Sequence, residues 1–168
     1  MSCSLTSGFA LDCKDSVGGV KAIHLINFAA TGFTVSGGEV TATTIASGNV
    51  YTYDMPKGVG SMTTTTNVSQ ENGTVFNQTD VVARLRKLAT TKRNELKLLA
   101  QNRVFCVVED NNANYWLVGK EYGCDITAMT QETGTAMGDN YGYNFTLSAI
   151  ESESPYKLQA SVVTALGI

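Results

Sequence analysis

The sequence predicts a mainly β protein of the α+β class, a β-sandwich or partial barrel flanked by one long amphipathic helix at about residues 80–101. Many short runs are rich in Thr, Val, Ile and Tyr and are bounded by Gly, Asn or Pro, which is typical of strands and turns. Thr accounts for 21 of the 168 residues and Gly for 16, whereas Pro occurs only twice. Only one stretch repeats apolar residues at helical spacing, and a helix with one apolar stripe must cover a sheet.

The length fits a single domain. Residues 1–19 are interpreted as an N-terminal arm, because Gly8, Gly18 and Gly19 interrupt them and their apolar residues are scattered. Residues 20–158 are predicted to form one β-rich domain, and residues 159–168 a mildly apolar C-terminal tail.

Five strands are predicted before the helix. Residues 20–28 are apolar at most positions, which indicates a buried strand. Further extended runs cover residues 33–35, 39–45, 50–55 and 61–69, and Pro56 begins a loop that ends at Gly60. Asn72-Gly73, between Val68 and Val75, is a strong turn signal and predicts a hairpin.

The helix is predicted from apolar residues that share one helical face. These are Val81, Leu85, Leu88, Leu96 and Leu99. Thr79 or Asp80 can cap its first turn, and Asn102 is a plausible end. Lys92 interrupts the stripe, so its amine is expected to extend to the rim.

After the helix, residues 104–108 and 115–119 predict a hairpin around the polar loop 109–114, and residues 124–130 predict another strand. Residues 133–140 are expected to be a loop. Residues 141–151 alternate, which places one apolar set on a single face; this set is Tyr143, Phe145, Leu147 and Ala149. Residues 155–158 end the domain.

The charges are few and unevenly distributed. Charged residues make up 16% of the chain, and the net charge is -3. Residues 80–103 carry seven basic and two acidic groups, whereas residues 109–168 carry two basic and eight acidic groups. This balance disfavours a generally basic nucleic-acid binder. The separation of sign is compatible with contact between copies of the chain, or with a solvated helix on an acidic domain.

Several functional classes lack support in the sequence. There is no apolar run long enough to span a membrane, and the N-terminus does not resemble a signal peptide. The four cysteines, Cys3, Cys13, Cys106 and Cys124, lack paired metal-ligand spacing, so buried free thiols are expected and a four-thiolate zinc site is the less favoured alternative. His24 is predicted to be a structural strand residue. No catalytic residues, metal or cofactor are predicted, so the protein is not expected to be an enzyme.

Three stretches carry a resemblance to virion proteins of tailed bacteriophages, most of all to tail-tube proteins. The first runs from Leu11 to Lys21 and leads into an apolar strand. The second is the middle of the chain, where two strands are followed by Asn77-Gln78-Thr79-Asp80, the predicted helix and a hairpin. The third lies near the C-terminus and comprises Gly134, Met137, Gly138, Asp139, Gly142, Tyr143, Phe145, Thr146, Leu147, Glu151 and Pro155. The likeness covers most of the chain but contains no diagnostic motif.

The resemblance implies a structural subunit that is made in the bacterial host cytoplasm and assembles into stacked hexameric rings around a conduit for double-stranded DNA. Its partners would be further copies of itself and other tail or neck proteins, with no membrane. Expected subunit contacts are Leu11, Met55, Pro56, Lys57, Val59, Met62, Arg84 and Lys87. Asp125, Glu132 and Asp139 are expected to face the lumen, because an acidic wall would not hold phosphates.

Other interpretations remain open. The same likeness would suit a neck, ring or baseplate component, or a capsid-decorating binding module. A small enzyme would require a deep polar pocket around His24 or the carboxylates.

Overall fold

The computed structural model describes residues 4–168. The strands are β1 (Val20–Asn27), β2 (Phe33–Ser36), β3 (Glu39–Thr43), β4 (Val50–Asp54), β5 (Ser61–Ser69), β6 (Thr74–Arg86), β7 (Val104–Asp110), β8 (Tyr115–Val118), β9 (Asp125–Glu132), β10 (Gly142–Glu151) and β11 (Tyr156–Leu158). The helices are α1 (Thr90–Gln101) and α2 (Ala160–Leu166). A single 3-10 turn, Ser47–Asn49, precedes β4.

The strands form two sheets. The seven-stranded sheet has the order β2-β3-β11-β8-β7-β1-β4, and the four-stranded sheet has the order β5-β6-β10-β9. All pairs are antiparallel except β3 with β11. Within residues 4–168 neither sheet closes on itself, so each has two edge strands. The predicted β-sandwich of the α+β class is therefore confirmed, and no closed barrel is present.

The main core lies between the two sheets. Ile23, Leu25 and Cys106 point into it from the seven-stranded sheet, and Val81 and Leu147 point into it from the four-stranded sheet. The predicted alternation of β10 is confirmed, because its four odd-numbered apolar residues are all buried, namely Tyr143, Phe145, Leu147 and Ala149. Burial of side chains from both sheets is what holds the sandwich together.

A second core covers the opposite face of the seven-stranded sheet. Phe105 lies at its centre, with the ring of Phe33 edge-on at 5.0 Å. Helix α2 covers this face through Val162 and Leu166, which are both 1% exposed. The C-terminal residues that were predicted to be a tail therefore contain a helix that completes a core.

The predicted helix at residues 80–101 is wrong in its first half. Residues up to Arg86 belong to β6, and α1 begins at Thr90, after Ala89. Thr79 and Asp80 therefore lie within a strand and cap nothing. Val81 and Leu85 are four residues apart, and a spacing of four places two residues on one face of a strand as well as of a helix. The β-branched Val81-Val82 pair and the ten-residue ladder with β10 favour the strand.

Helix α1 is consequently short and lies against an open side of the sandwich. Only Leu96 and Leu99 are buried, and Leu98 is half exposed. Lys92 does interrupt the stripe, but its Nζ turns back to donate to the carbonyl oxygens of Arg86 and Lys87. This contact joins the first turn of α1 to the end of β6.

We expect Leu147→Ala to lower the free energy of unfolding by about 2–5 kcal/mol, because it leaves a cavity between the sheets. Ile150→Ala, in the same strand but on its exposed face, should change it by less than about 1 kcal/mol. Urea unfolding of both variants checks this. Equal losses would contradict the assigned faces of β10.

Candidate assembly surfaces

The N-terminal arm carries apolar side chains that its own chain leaves uncovered. Residues 4–19 are all exposed. Leu5 and Phe9 are each 98% exposed, and Leu11 is 101% exposed. Such side chains in a segment without regular secondary structure indicate a surface that another molecule can cover. Residues 1–3, including Cys3, lie outside the described residues.

The root of the arm is fixed by the loop between β7 and β8. The side-chain amide of Asn112 accepts a hydrogen bond from the Val17 N–H at 2.9 Å and donates to the Val17 carbonyl at 2.8 Å. Asn111 Nδ2 donates to the Gly18 carbonyl at 2.7 Å. The sequence predicts this segment only as a polar loop, and its run of asparagines is the one signal for the contact with the arm. The arm therefore leaves the domain from a defined position.

Edge strands offer a second kind of surface. In the four-stranded sheet, β5 pairs only with β6 and β9 pairs only with β10 among the described residues. Every second N–H and C=O of β5 and β9 therefore points away from the sheet. Exposed edges of this length are templates for pairing with another strand. In the seven-stranded sheet the corresponding edges are β2 and β4.

The face of the four-stranded sheet that points away from the core is mostly polar, although it also carries exposed apolar side chains, among them Val82 and Ile150. We call it the outer face. Asp125 pairs with Ser148 and Glu132 pairs with Gly142. Both carboxylates therefore lie on the outer face, one at each end of β9, because cross-strand partners share a face. Most of the remaining residues carry hydroxyl or amide groups, namely Thr63, Thr65, Gln78, Thr130, Asn144, Thr146 and Ser148.

Asp139 lies in the loop between β9 and β10. Its Oδ2 accepts hydrogen bonds from the N–H groups of Thr135 and Ala136, both at 2.8 Å. These bonds hold the pKa of Asp139 below its usual value. Asn140 Nδ2 from the same loop donates to Glu132 Oε2 at 3.0 Å. The structure thus brings Glu132 and the Asp139 loop together and leaves Asp125 at the far end of β9.

The acidic segment 109–168 does not form one acidic surface. Within it, β7, β8 and β11 belong to the seven-stranded sheet, and only β9 and β10 belong to the four-stranded sheet. Two basic side chains, Arg84 and Arg86, also lie on the outer face, and Arg84 Nε donates to Asn144 Oδ1 at 2.8 Å. Basic and acidic residues that are separate in the sequence therefore lie partly on the same face of the folded domain.

Four of the expected contact residues line one groove with the Asp139 loop. The groove is lined by Pro56 and Val59, by Arg84 and Lys87, and by residues 138–141 of the Asp139 loop. Its volume is about 380 Å³. Lys57 is exposed in the same loop. Arg84 and Lys87 were placed on the predicted helix. They lie instead on β6 and in the turn after it.

Met55 and Met62 pack mainly against the core. Both pack against the cluster between the sheets and are only partly exposed. The Met55 side chain also lies so close to Gly60 that a Cβ there would meet its methyl carbon at 2.7 Å. These two methionines therefore anchor the loop 56–60 to the sandwich.

His24 lies in a small polar cluster on the outward side of β1. Its Nδ1 is 2.9 Å from Thr52 Oγ1, and its Nε2 is 3.6 Å from Glu109 Oε2, beyond hydrogen-bond distance. Glu109 Oε1 instead accepts from Lys21 Nζ at 2.6 Å. Burial lowers the pKa of His24, and the Glu109 charge opposes that shift only in part. At neutral pH the ring is therefore uncharged.

This cluster does not form a deep polar pocket around His24, which is one of the two sites that the enzyme interpretation allows. His24 is 4% exposed, and it lines none of five cavities on the surface of residues 4–168. A hydroxyl next to an imidazole catalyses acyl transfer only where substrate can reach it. The predicted structural strand histidine agrees with this placement.

The cysteines differ in environment. Cys106 and Cys124 are buried free thiols, as predicted, whereas Cys13 is exposed on the arm. Burial raises the pKa of Cys106 to about 12, so it is not a thiolate at neutral pH. Across residues 4–168 no group of three His, Cys, Asp or Glu side chains is placed to hold a metal ion. Over the same range, neither helix has the length or apolar character needed to cross a bilayer.

The fold and these surfaces define an α+β sandwich with open strand edges and an uncovered arm. Comparison of the chain with models of known protein families, with curated proteins and with solved structures finds no match. The function is therefore inferred from the surfaces themselves.

Glu151 provides a pH-dependent feature at one corner of the sandwich. It is 6% exposed, and its Oε1 accepts from the N–H of Glu121 at 2.7 Å and of Tyr122 at 3.4 Å. Burial raises the pKa of Glu151 above its ordinary value of 4.5, although these hydrogen bonds oppose the shift. The folded protein therefore favours the protonated carboxyl group more than the unfolded chain does.

Stability contributed by this group is complete below pH 4.5 and is lost as the pH rises through the raised pKa. Glu151→Gln keeps the acceptor oxygen without the charge. We therefore expect the stability of the variant, relative to wild type, to increase as the pH is raised from 4 to 8 in thermal melts. The exposed Glu153→Gln is the matched control and should show no such trend. A constant difference between the Glu151 variant and wild type would contradict the assignment.

Proposed function

We propose that the protein is a structural virion subunit that assembles into stacked hexameric rings, forming a tail tube through which double-stranded DNA passes. The observation that carries the proposal is the four-stranded sheet, which has two long open edges and a polar face turned away from the core. The resemblance to tail-tube proteins supports the same assignment. Localisation in the virion tail, and the tail or neck proteins as partners, belong to this proposal.

The open edges suit closure between copies. Along the order β5-β6-β10-β9 each strand is antiparallel to the next. Strand β9 of one copy therefore runs antiparallel to β5 of a neighbour placed in the same orientation. β5 has nine residues and β9 has eight, so their lengths match. Pairing them would satisfy the free backbone groups of both edges and give a continuous barrel.

The dimensions of such a barrel suit DNA. Six copies of a four-stranded sheet would give about 24 strands, with roughly 50 Å between opposite backbones for a strand spacing of ~4.8 Å and a tilt of about 40°. Side chains on the wall would leave roughly 35–40 Å free. The outer face would line this space mainly with hydroxyl and amide groups, together with three carboxylates, Asp80, Asp125 and Glu132, and two arginines, Arg84 and Arg86. The carboxylates outnumber the two cationic groups that could bind phosphates by counterion release.

Negative-stain electron microscopy of the purified protein tests the proposal, with rings or tubes as the expected result. Deletion of residues 1–15 should prevent tube formation, because the arm is expected to contact other subunits. It should change the free energy of unfolding by less than about 0.5 kcal/mol, since none of the described residues 4–15 belongs to either core. Compact trimers or isolated particles from the full chain would contradict the proposed tube. Normal tubes from the truncated chain would contradict the proposed role of the arm.

Charge exchange across the proposed edge contact gives a sharper test. Thr65 on β5 and Ala128 on β9 are both near the middle of their strands and on the outer face. Lys at both positions places like charges on facing edges, at a cost of about 0.2–1 kcal/mol per contact, repeated around the ring. We expect the double Lys variant to lose assembly, and Thr65→Lys with Ala128→Glu to restore it.

The control is Met137→Lys, which adds one positive charge, half of what the double Lys variant adds, on the exposed loop before β10. Sedimentation velocity measures the assembled fraction for each variant. Failure of the Lys and Glu pair to assemble better than the double Lys variant would exclude pairing of β5 with β9.

A further inference from the structure

A trough runs along the open edge of β4, between that strand and α1. Three adjoining cavities of about 180, 530 and 470 Å³ form it. The first two share Tyr51, Tyr53 and Glu95, and the last two share Tyr53 and Lys92. We call this surface the β4 trough. Tyr51 is 52% exposed and Leu98 is 51% exposed, so its floor presents apolar surface to solvent.

The trough also offers a free strand edge. β4 pairs with β1 on one side, and no strand within residues 4–168 pairs with its other side. An extended segment laid into the trough could therefore form main-chain hydrogen bonds with β4 and place alternate side chains against Tyr51 and Leu98. Addition of a strand to an open edge is a common mode of peptide recognition.

We propose that the β4 trough of one copy binds residues 5–11 of the N-terminal arm of a second copy as an added strand. This inference rests on the proposed self-assembly of the chain. In the arm, Leu5, Phe9 and Leu11 are separated by even numbers of residues, so an extended arm presents all three on one face. Each of them is almost completely exposed.

Length and charge agree with this occupant. Residues 5–11 and the trough residues 50–56 each contain seven residues, or roughly 23 Å of extended chain. Residues 5–11 carry no charge, which suits the apolar floor, and Asp12 follows them. At the end of the trough near Pro56, Arg86 and Lys92 outnumber Asp54. An arm running parallel to β4 would bring Asp12 to this positive end.

A second trough, between α1 and β9, is a weaker candidate. It is a single cavity of about 380 Å³ lined by Leu96, Ala100 and Met129, with Arg93 and Lys97 at its rim. Ring closure through β9 would occupy the neighbouring edge. The edge of β4 remains free in the proposed ring, so the arm can bind there without competing with β5.

Disulfide trapping between two full-length chains tests the inference. One chain carries Phe9→Cys, the other carries Leu98→Cys, and both carry Cys3→Ser and Cys13→Ser so that the exposed native thiol is removed. Different affinity tags separate mixed dimers from other products. Phe9→Cys with Met137→Cys is the control pair, because Met137 is fully exposed and lies outside the trough.

We expect the mixed Phe9–Leu98 disulfide to form about tenfold faster than the control pair under mild oxidation, because binding raises the local concentration of the two thiols. Equal rates would overturn the inference. A single chain carrying both cysteines that cross-links only within itself would also overturn it, since the occupant would be the chain's own arm.

Failure of the arm contact can be distinguished from failure of the proposed tube assembly. Mixed disulfides without rings in the microscope would support the arm contact and contradict the tube. Rings without the Phe9–Leu98 disulfide would contradict the arm contact alone.

Discussion

The pairing of β6 with β10 is the constraint on which most of the structure depends. Ten consecutive residues of each strand are in register, and this register turns Val81, Ala83, Phe145 and Leu147 toward the seven-stranded sheet. A shift of one strand by one residue would turn the apolar set of that strand outward. The pair begins where Gly142 meets the backbone of Leu85 and Arg86, and a Cβ at Gly142 would collide with the Leu85 carbonyl oxygen. The glycine therefore fixes where the ladder starts.

The same register defines both faces of the four-stranded sheet. At one end of the sheet the inward face is polar and hydrogen-bonded. There Thr64 Oγ1 is 2.9 Å from Thr79 Oγ1, and Thr66 Oγ1 donates to Asn77 Oδ1 at 2.7 Å. Toward the other end the inward face becomes apolar. Threonine suits both environments, because its β-branched side chain favours a strand and its hydroxyl group tolerates water. The abundance of threonine thus reflects strands that are only half covered.

Alternation in the sequence was enough to predict most of the fold. Every strand predicted before β6 is present, and the alternating residues of β10 lie on the expected face. The boundary between β6 and α1 could not be predicted, because Val81 and Leu85 are compatible with either structure and only the partner strand β10 decides between them. Helix α2 was missed since seven residues with two buried side chains give almost no periodic signal.

The surfaces were less predictable than the fold. Leu11 and the loop 56–60 were expected at subunit contacts through the resemblance, and the structure leaves Leu11 and Lys57 exposed. That Glu132 lies beside the Asp139 loop, and Asp125 at the far end of β9, depends on strand register, which one sequence does not reveal. Met55 and Met62 were expected at subunit contacts, but both pack against the core between the sheets. Residues at the ends of a loop can therefore belong to the core.

The amide pair between Asn112 and Val17 makes the arm a tether with one fixed end. Leu5 lies twelve positions before Val17, so it can reach at most about 40 Å from that point. Any molecule that the tip engages is held within this radius, and a second contact within it forms as if at millimolar concentration. A weak contact elsewhere on the domain would then be sufficient for stable association. The loop between β7 and β8 would thus set the spacing of partners that it does not itself touch.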